Sequence, residues 1–452
     1  MSAENNQPDS PNSAPQVVDT LICAGWIVPV QPAKVVLIDH AIAINNGVII
    51  AIVPRLMALQ QFAPEQLFEL PQQLLCPGLI NAHGHCAMSL FRGLADDTPL
   101  QQWLSEHIWP AEQRWVSEEF VRDGSQLAIA EMLRSGTTTF SDMYFFPDIV
   151  AAEASRAGMR AQVAFPVFDA PSVWGLDPDD YIRKGLEVRD SYKHNDLINV
   201  VFGPHAPYTV ADEPLQRIAT LANELDTGIH IHVHENAAEI VGEQEKHGSR
   251  PLQRLDKLGI LSPKTQLVHM TTLNEADIAL LVDSGAHVIH CPSSNLKLAS
   301  GLCPVDRLLA EGVNIALGTD SAASNNSLDL FTEMRTAALL AKVVSGNAAA
   351  LADWQALEAA TLGGARALAI DHLVGSLEVG KMADIIALDF SQLEQQPMHN
   401  PIAQLVYTPC GHRVSHSWVN GRLLMENREL TTLDEVTVLR KTRDWQSKIS
   451  GQ

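Results

Sequence analysis

The sequence predicts an α/β fold: a (β/α)8 barrel of parallel strands with a small β-sandwich domain formed from both ends of the chain. Three observations predict it. Apolar segments alternate eight times with helical patterns through the middle of the chain, which is the arrangement of a closed parallel barrel. Both ends contain short strand patterns separated by turn residues. Polar residues that can bind metal or move protons recur where the apolar segments end.

Composition limits the class of protein. The chain has 452 residues, a hydrophobic content of 46% and a net charge of 31 − 53 = −22, which suits a large barrel with an accessory domain. The acidic balance argues against nucleic-acid binding, which needs a positive surface. The 6 cysteines form no CxxC pair, so a reducing, cytoplasmic location is expected. No run of 18 apolar residues exists to cross a membrane.

The chain divides into four segments. Residues 1–16 are polar, lack the apolar centre of a signal peptide and predict a disordered tail. Residues 17–75 contain short strands with a hairpin turn at residues 45–47. Residues 76–375 are predicted to form the barrel, and residues 376–452 return to β-hairpins before a C-terminal helix. The two β-rich ends are expected to pair into one domain, because chain ends often lie close together.

The barrel prediction rests on an ordered series of segments. Its strands are apolar throughout rather than alternating, as expected when both faces of a sheet are covered. No G-x-G-x-x-G follows the first strand, so a dinucleotide-binding sheet loses its main support. The predicted strands lie at residues 74–85, 136–145, 160–168, 197–207, 228–235, 265–270, 286–294 and 313–321. The clearest helical segments are residues 118–136, 147–158, 213–226, 248–259, 274–285 and 304–312.

Titratable side chains stand at the ends of these strands. The C-terminal ends of parallel barrel strands open onto one face, where such barrels have their active sites. The side chains that end strands one, two, four, five, six, seven and eight are, in order, His83 with His85, Asp142, His205, His232 with Glu235, His269, His290 and Asp320. The sequence therefore predicts one polar site at the mouth of the barrel.

Two histidine patterns indicate a metal ion. His83 and His85 are two residues apart at a strand end, so both imidazoles can point the same way and reach one ion. His230, His232 and His234 repeat this spacing. Only the histidine at the right depth can be a ligand, and spacing alone leaves that choice open.

Two carboxylates complete the pattern. Glu235 can shuttle the proton of a metal-activated water, or it can cap the following helix. Asp320 can bind metal, accept a proton or cap a helix. With three histidines it completes an N₃O set that leaves a position open for water, as in catalytic zinc sites. Residues 197–207 contain no lysine that could bridge two ions, which favours a single ion.

These motifs resemble a known family. PGLINAHGH, FGPHAPY, HVHE, LVHM and LGTDS are similar to the motifs of the amidohydrolase superfamily, in its branch of metal-dependent aminohydrolases. GSLEVGKMADIIALD resembles the return of that family's chain into its β-sandwich. FRGLADDTPLQQWLSEHIWPAEQRW and FSDMYF resemble the 5′-methylthioadenosine/S-adenosylhomocysteine deaminases. The resemblance implies hydrolytic deamination of an adenine ring, on 5′-methylthioadenosine, S-adenosylhomocysteine or adenosine, by metal-activated water.

The resemblance also implies a role for each residue. Glu235 matches the proton-shuttling glutamate, and His269 matches the histidine that polarises the site of attack. Glu112 matches the glutamate that accepts the ribose hydroxyls, and His205 matches a substrate-contacting histidine. Asp142 and His290 receive no role beyond hydrogen bonding at strand ends. The implied ligands of one divalent ion, Zn²⁺ or alternatively Fe²⁺, are His83, His85, His232 and Asp320.

One departure bears on the substrate. Family members that bind the homocysteine carboxylate have arginines in and after strand three, but here no arginine occurs between Arg160 and Arg183. Phe165 and Trp174 lie in this stretch and suggest an apolar pocket. An arginine–carboxylate pair is difficult to replace. We therefore expect 5′-methylthioadenosine to be preferred over S-adenosylhomocysteine.

Other functions remain possible on the same barrel. The nearest are a guanine or triazine deaminase and a cyclic-amide hydrolase. A more distant alternative is a non-catalytic scaffold, although a scaffold would need none of the ligand residues. The expected partners are a small-molecule nucleoside substrate and further copies of the chain in a homo-oligomer, with no nucleic acid and no membrane.

Overall fold

The strands of the protein form two separate eight-stranded sheets. The computed structural model describes residues 14–451. The strands are β1 (Gln16–Ile27), β2 (Leu37–Asn45), β3 (Val48–Pro54), β4 (Phe62–Pro77), β5 (Leu79–Gly84), β6 (Thr137–Asp142), β7 (Arg160–Val167), β8 (Ile198–Pro204), β9 (Ile229–Val233), β10 (Thr265–His269), β11 (His287–His290), β12 (Ile315–Leu317), β13 (Ile385–Asp389), β14 (Val414–Val419), β15 (Arg422–Glu426) and β16 (Glu429–Leu430).

The first sheet joins the two ends of the chain, as predicted. Its strand order is β16-β15-β14-β13-β4-β1-β2-β3, and the two halves meet where β13 pairs antiparallel with β4. The strands of the predicted sandwich are hydrogen-bonded into one continuous sheet rather than two. Alternate residues of β1 enter different apolar clusters, with Ile22 in one and Leu21 in the other, because successive side chains of a strand point to opposite faces.

The second sheet is the predicted barrel. Strands β5 to β12 lie side by side in sequence order and are parallel throughout. Each of the eight lies within a segment expected from the sequence. All residues of β5, β7 and β9 are buried, because both faces of these strands are covered. The expectation that the barrel strands are apolar throughout is wrong for them: β9 alternates isoleucine and histidine, and β5 and β7 also contain polar residues.

The barrel closes between its first and last strands. The amide N–H of Asp320, just after β12, donates to the carbonyl of His83 in β5 over 3.0 Å. The Asn81 side chain accepts from the Thr319 N–H over 2.9 Å and donates to the Thr319 hydroxyl over 2.8 Å. A Cβ atom at Gly318 would lie 2.8 Å from the Cβ of His83, so this seam requires glycine at that position.

Helices follow the barrel strands and cover the outside of the barrel. The helices of residues 14–451 are α1 (Arg55–Gln61), α2 (Leu100–Gln102), α3 (Trp109–Trp115), α4 (Glu118–Arg134), α5 (Pro147–Ala157), α6 (Pro178–Tyr192), α7 (Asp212–Glu224), α8 (Ala237–His247), α9 (Pro251–Lys257), α10 (Glu275–Ser284), α11 (Pro292–Lys297), α12 (Val305–Ala310), α13 (Ala322–Asn325), α14 (Leu330–Ser345), α15 (Asp353–Ala359), α16 (Leu362–Ala367), α17 (Pro401–Tyr407) and α18 (Glu435–Ser450). A π-helical turn, Trp103–Ile108, joins α2 to α3.

Helix α6 is absent from the sequence prediction. Asp177 caps its N-terminus by accepting from the Asp180 N–H over 2.9 Å. The helix buries only Tyr181, Ile182, Gly185 and Val188 and is otherwise largely charged. The segment is therefore poor in apolar residues, and a helical pattern with few apolar residues is easily missed in a sequence.

The ends of the described chain bear on two expectations. Residues 1–13 of the predicted tail lie outside the described residues, and β1 begins at Gln16. Within residues 14–451, every helix falls short of the length and apolar character needed to cross a bilayer.

Candidate active site

The predicted site residues occupy the C-terminal mouth of the barrel. His83 belongs to β5 and His85 follows it, while His232 belongs to β9 and His269 ends β10. Asp320 follows β12 after the Gly318–Thr319 turn. The structure therefore brings together residues that are up to 237 positions apart in sequence, from His83 to Asp320.

Three histidines and one aspartate form a compact cluster. The nearest ligand atoms of His83, His85 and His232 all lie within 4.8 Å of one another. The Nε2 atoms of His83 and His232 are 3.2 Å apart. Oδ1 of Asp320 lies 3.5 Å from Nε2 of His83 and 3.3 Å from Nε2 of His85. Ligand atoms about 2.0–2.2 Å from a tetrahedral zinc ion lie about 3.3–3.5 Å apart, so these spacings fit a zinc-sized ion.

Backbone carbonyls orient two of these imidazoles. Nδ1 of His85 lies 2.5 Å from the carbonyl oxygen of Met143. Nδ1 of His232 lies 2.8 Å from the carbonyl oxygen of His205. Since a carbonyl only accepts, each Nδ1 carries a proton, and Nε2 is the nitrogen that faces the cluster. Such outer hydrogen bonds are the usual means of orienting histidine ligands.

The charges of the cluster favour a cation at its centre. Burial lowers the pKa of His232 well below its usual value, so that imidazole is neutral and can bind a metal ion. Against the effect of burial, Asp320 raises the pKa of His85 to about 9. Burial alone would raise the pKa of Asp320, but its contacts with His83 and His85 lower it well below 3.8. A buried carboxylate held ionised in this way attracts positive charge, either a proton or a metal ion.

Two hydrogen bonds hold the side chain of Asp320. Oδ2 accepts a hydrogen bond from the Ser294 hydroxyl over 2.7 Å, and Oδ1 accepts from the Ser321 N–H over 2.7 Å. Its backbone is left-handed, with a φ of 60°, a conformation that aspartate tolerates better than most residues. The helix-capping role that the sequence left open belongs to Ser321, whose side chain accepts from the Ser324 N–H at the start of α13.

Glu235 lies beside the cluster. Glu235 is only 8% exposed, and this burial raises the pKa of its carboxyl group above 4.5. Oε1 lies 3.9 Å from Nε2 of His269. The side chain of Glu239 accepts from the backbone N–H groups of His234 and Glu235, over 2.9 and 2.7 Å, so the start of α8 fixes the turn that presents Glu235.

His269 reaches the same centre from β10. Its Nδ1 lies 2.9 Å from Oδ1 of Asn295. With His83 and Asp320 it forms a second group whose ligand atoms lie within 4.8 Å. The geometry thus places His269 against both the cluster and Glu235, where it can contact either an ion or a reacting oxygen.

A cavity of about 580 Å³ opens above the cluster, a volume typical of small-molecule sites. Glu112 lines it and accepts a hydrogen bond from the Tyr144 hydroxyl over 2.7 Å. Burial, partly offset by that bond, raises the pKa of Glu112 to about 7. His205 also lines the cavity, and its ring stacks on Phe168 with centroids 4.7 Å apart.

The apolar wall of the cavity differs from the expectation. Phe165 and Trp174 are absent from its lining; their rings pack on Phe202 and Tyr181 instead. The same stretch of chain does supply an apolar wall, through Pro166, Phe168, Ala170 and Pro171. Among the described residues that line the cavity there is no lysine or arginine.

The remaining strand-end residues differ in their hydrogen bonding. Oδ1 of Asp142 accepts from the Cys86 N–H over 2.5 Å, in line with the expected hydrogen bonding. Nδ1 of His290, by contrast, is buried and has no hydrogen-bond partner within residues 14–451. Nδ1 of His234 lies 2.8 Å from the carbonyl oxygen of Thr272, and its Nε2 accepts from the Leu252 N–H, so both of its nitrogens are engaged away from the cluster.

Sequence reasoning missed the partners of the site residues. Tyr144, Ser294 and Asn295 contact Glu112, Asp320 and His269 respectively. Tyr144 follows Asp142 by two residues, and Ser294 and Asn295 follow His290 within five. Their positions just after strand ends were the sequence signal that could have identified them as neighbours of the site.

Comparison with known proteins agrees with this geometry. The model of the amidohydrolase family matches residues 74–424. Two relatives named 5-methylthioadenosine/S-adenosylhomocysteine deaminase, from Saccharophagus degradans and Teredinibacter turnerae, are 56% and 53% identical over 96% of this chain and 97% and 98% of theirs. A crystal structure of an adenosine deaminase from Xanthomonas campestris with bound zinc is 47% identical, has a TM-score of 0.96 and covers 97% of this chain and 100% of its own. The chain belongs to the amidohydrolase family.

Proposed function

We propose that the protein is a metal-dependent deaminase of adenine nucleosides, which converts the adenine ring to hypoxanthine and releases ammonia. The observation that supports it best is that one cavity is lined both by His85, His232, Asp320 and Glu235 and by the half-buried Glu112. The first set suits hydrolysis of a C–N bond, and the second suits a ribose. The names of the relatives, at 53% and 56% identity, point to the same chemistry.

His83, His85, His232 and Asp320 would hold one divalent ion. Neutral imidazoles and a carboxylate are ligands that zinc accepts, and the open cavity leaves room for water. Fe²⁺ is the alternative, since the same ligands also bind iron. When bound, the ion supplies the Lewis acidity that makes water nucleophilic at neutral pH.

The side chains around the cluster move the protons. Glu235, with its raised pKa, takes a proton from the attacking water and delivers it to N1 of the purine, which makes C6 more electrophilic. Asp320 accepts the second proton of the water and returns it to the departing amine. His269 hydrogen-bonds the oxygen that develops negative charge at C6. Water is consumed and ammonia is released, so the reaction balances without another reactant.

Glu112 and His205 would bind the nucleoside. A carboxylate can accept from both the 2′- and the 3′-hydroxyl, and the Tyr144 hydroxyl already fixes the orientation of Glu112. His205 is held by its stacking on Phe168, and burial lowers its pKa to about 3, so it faces the substrate as a neutral ring.

The wall of the cavity favours an uncharged 5′ substituent. Pro166, Phe168 and Pro171 line it, and an apolar methylthio group buries well against such residues. The carboxylate of S-adenosylhomocysteine would need a cationic partner. Within the described lining there is none, and Asp169 adds a negative charge. We therefore place 5′-methylthioadenosine ahead of S-adenosylhomocysteine.

A deamination assay tests this proposal. With zinc-loaded protein, the loss of adenine absorbance is followed on 5′-methylthioadenosine, S-adenosylhomocysteine and adenosine, and the loss of guanine absorbance is followed on guanine. We expect the highest kcat/KM on 5′-methylthioadenosine. Equal values for it and S-adenosylhomocysteine would contradict the argument from the cavity wall.

Glu112→Gln separates nucleoside deamination from its rivals. It should weaken the reaction on nucleosides, whereas a guanine or triazine deaminase has no ribose to bind and would be unaffected. A protein that turned over guanine alone, with Glu112→Gln as active as the parent, would contradict the proposed substrate class.

A further inference from the structure

A row of polar side chains crosses the interior of the barrel beneath the metal cluster. It consists of Ser141 on β6, Gln162 on β7, His230 on β9 and Gln266 on β10, and it ends at His83 on β5. Each of these residues is at most 2% exposed. Barrel interiors are normally filled by Val, Ile and Leu, and buried polar groups are costly unless they are hydrogen-bonded. A polar row at this depth therefore calls for an explanation.

Hydrogen bonds connect the row from end to end. Nδ1 of His83 lies 2.7 Å from Nε2 of His230, and Nδ1 of His230 lies 2.6 Å from Oε1 of Gln266. The amides of Gln162 and Gln266 bond each other reciprocally, over 2.7 and 3.1 Å. Nε2 of Gln162 also donates to the Ser141 hydroxyl over 2.9 Å.

The proton positions along this row follow from the acceptor at Gln266. Because Oε1 of Gln266 can only accept, Nδ1 of His230 must carry a proton. In a neutral His230, Nε2 then holds a lone pair and accepts a hydrogen bond from the Nδ1–H of His83. His83 in that tautomer has an unprotonated Nε2, and this atom is the one that faces His232 and Asp320.

The opposite arrangement would disable the cluster. If an N–H of residue 266 faced His230, the protons would shift, and Nε2 of His83 would carry a hydrogen towards the centre. Unlike His85 and His232, which are oriented by backbone carbonyls, His83 has another imidazole as its partner. An imidazole can either donate or accept, so the tautomer of His83 depends on the next residue in the row.

We propose that His230 and Gln266 are positioning residues that hold His83 in the tautomer able to bind a metal ion, and thereby set the metal affinity of the site. This inference rests on the proposed metal-dependent function. It gives His230 a role. His230 lies two residues before His232 on the same strand, but one layer deeper in the barrel, and it faces His83 instead of the cavity.

Two substitutions at one position test the inference. Gln266→Leu removes the acceptor and should weaken zinc binding about 10- to 100-fold, the usual effect of losing a partner behind a histidine ligand. Gln266→Glu keeps an acceptor towards His230 and should retain an affinity close to that of the parent. Zinc affinity is measured by competition with a chelating dye, and the visible absorption of the Co²⁺-substituted protein reports the ligand geometry.

Gln395→Leu is the matched control. Gln395 is fully buried, and within the described chain its side chain has no hydrogen-bond partner. The control should bind zinc and Co²⁺ as the parent does. A folded Gln266→Leu variant with the zinc affinity and Co²⁺ spectrum of this control would overturn the inference.

The tautomer can also be observed without a substitution at Gln266. Long-range ¹H–¹⁵N spectra of the zinc-loaded parent, with His83 assigned by comparison with His83→Asn, should show a proton on Nδ1 of His83. A proton on Nε2 would refute the inference even if Gln266→Leu failed to fold. A parent protein that bound no zinc would contradict the proposed function itself, whereas a zinc-binding parent with unchanged variants would contradict this inference alone.

Discussion

At the scale of single residues, the proposed chemistry depends on burial. Glu235 and Glu112 both lose solvent when the barrel folds, and the pKa of each rises as a result. A carboxyl group with a raised pKa releases and takes up protons closer to neutral pH, which is what proton transfer needs. For Glu112, the raised pKa sets the pH above which the side chain is an ionised carboxylate that can accept hydrogen bonds from two ribose hydroxyls.

Glu235→Gln should lower kcat by about 10²- to 10⁴-fold, the usual loss when a positioned acid–base group is removed. The zinc content should stay at the parental level, because Glu235 lies outside the proposed ligand set. Steady-state kinetics and elemental analysis check the two expectations. Glu224→Gln, on the exposed side of α7, is the control and should change neither. Loss of zinc from Glu235→Gln would mean that this residue binds the ion.

The ribose contact should depend on pH. Because the pKa of Glu112 is raised to about 7, the carboxylate that accepts two hydroxyls becomes protonated as the pH falls through 7. We expect kcat/KM for 5′-methylthioadenosine to fall below that pH, since this quantity reports groups of the free enzyme. Glu112→Gln should be less active and should lack this ionisation. An unchanged profile in the variant would assign the ionisation to another group.

The sequence could predict which residues meet but not what supports them. His83, His85, His232 and Asp320 follow apolar strands, so their convergence followed from the order of the strands. The depth of each histidine could not be predicted, because it depends on the stagger between strands. That stagger puts His232 against the cluster and His230 beneath it.

At the scale of elements, the seam between β5 and β12 determines the geometry of the cluster. His83 lies on one side of this seam and Asp320 on the other, and the Asp320 N–H bonds the His83 carbonyl directly. Asn81 adds two side-chain hydrogen bonds to Thr319. Asn81 and Thr319, which lie next to the proposed metal ligands His83 and Asp320, therefore help to close the mouth of the barrel.

Asn81→Ala should destabilise the protein by about 1–3 kcal/mol, because it leaves the buried Thr319 N–H without a partner, whereas the Thr319 hydroxyl still donates to the Asp320 carbonyl. The free energy of unfolding is measured by urea titration. Asn223→Ala, an exposed position in α7, should change it by no more than about 0.5 kcal/mol. Equal stability of the two variants would show that the seam does not depend on Asn81.

Prediction of elements succeeded for the eight barrel strands. The eight barrel strands are buried along nearly their whole length, so their composition is distinctive. Helix α6 was missed because 7 of its 15 residues are charged, so that few apolar residues mark it in the sequence. The turn of π-helix at Trp103–Ile108 depends on backbone geometry that side-chain periodicity does not report.

At the scale of the whole molecule, a buried ion pair joins the barrel to the terminal sheet. Arg160 on β7 donates to the carboxylate of Asp384, next to β13, through Nε over 3.1 Å and through Nη2 over 3.2 Å. The Asn420 N–H also donates to Asp384, over 2.7 Å. Both charged side chains are at most 6% exposed. Because the pair lies between the two sheets, the two are expected to unfold together.

Arg160→Leu should destabilise the protein by about 3–5 kcal/mol, since it leaves the Asp384 carboxylate buried without its partner. Arg217→Leu removes an exposed ion pair with Asp179 and should cost only about 0–1 kcal/mol. Both are measured by urea unfolding followed with near- and far-ultraviolet circular dichroism. If Arg160→Leu were as stable as the parent, the ion pair would not be needed to hold the two sheets together.

The organisation of the whole chain was only partly predictable. Pairing of the two ends followed from their shared strand pattern. The single continuous sheet did not, because the pairing of β4 with both β1 and β13 joins segments more than 300 residues apart, and no local signal specifies such a register.

The seam between β5 and β12 has a consequence for the metal-free protein. An ion bound by both His83 and Asp320 would link β5 to the end of β12. In the described barrel these are the only neighbouring strands that are not paired in a β-ladder. Removal of the metal should therefore favour local opening between β5 and β12. Amide hydrogen exchange and protease cleavage should then begin there, before the other barrel strands become accessible.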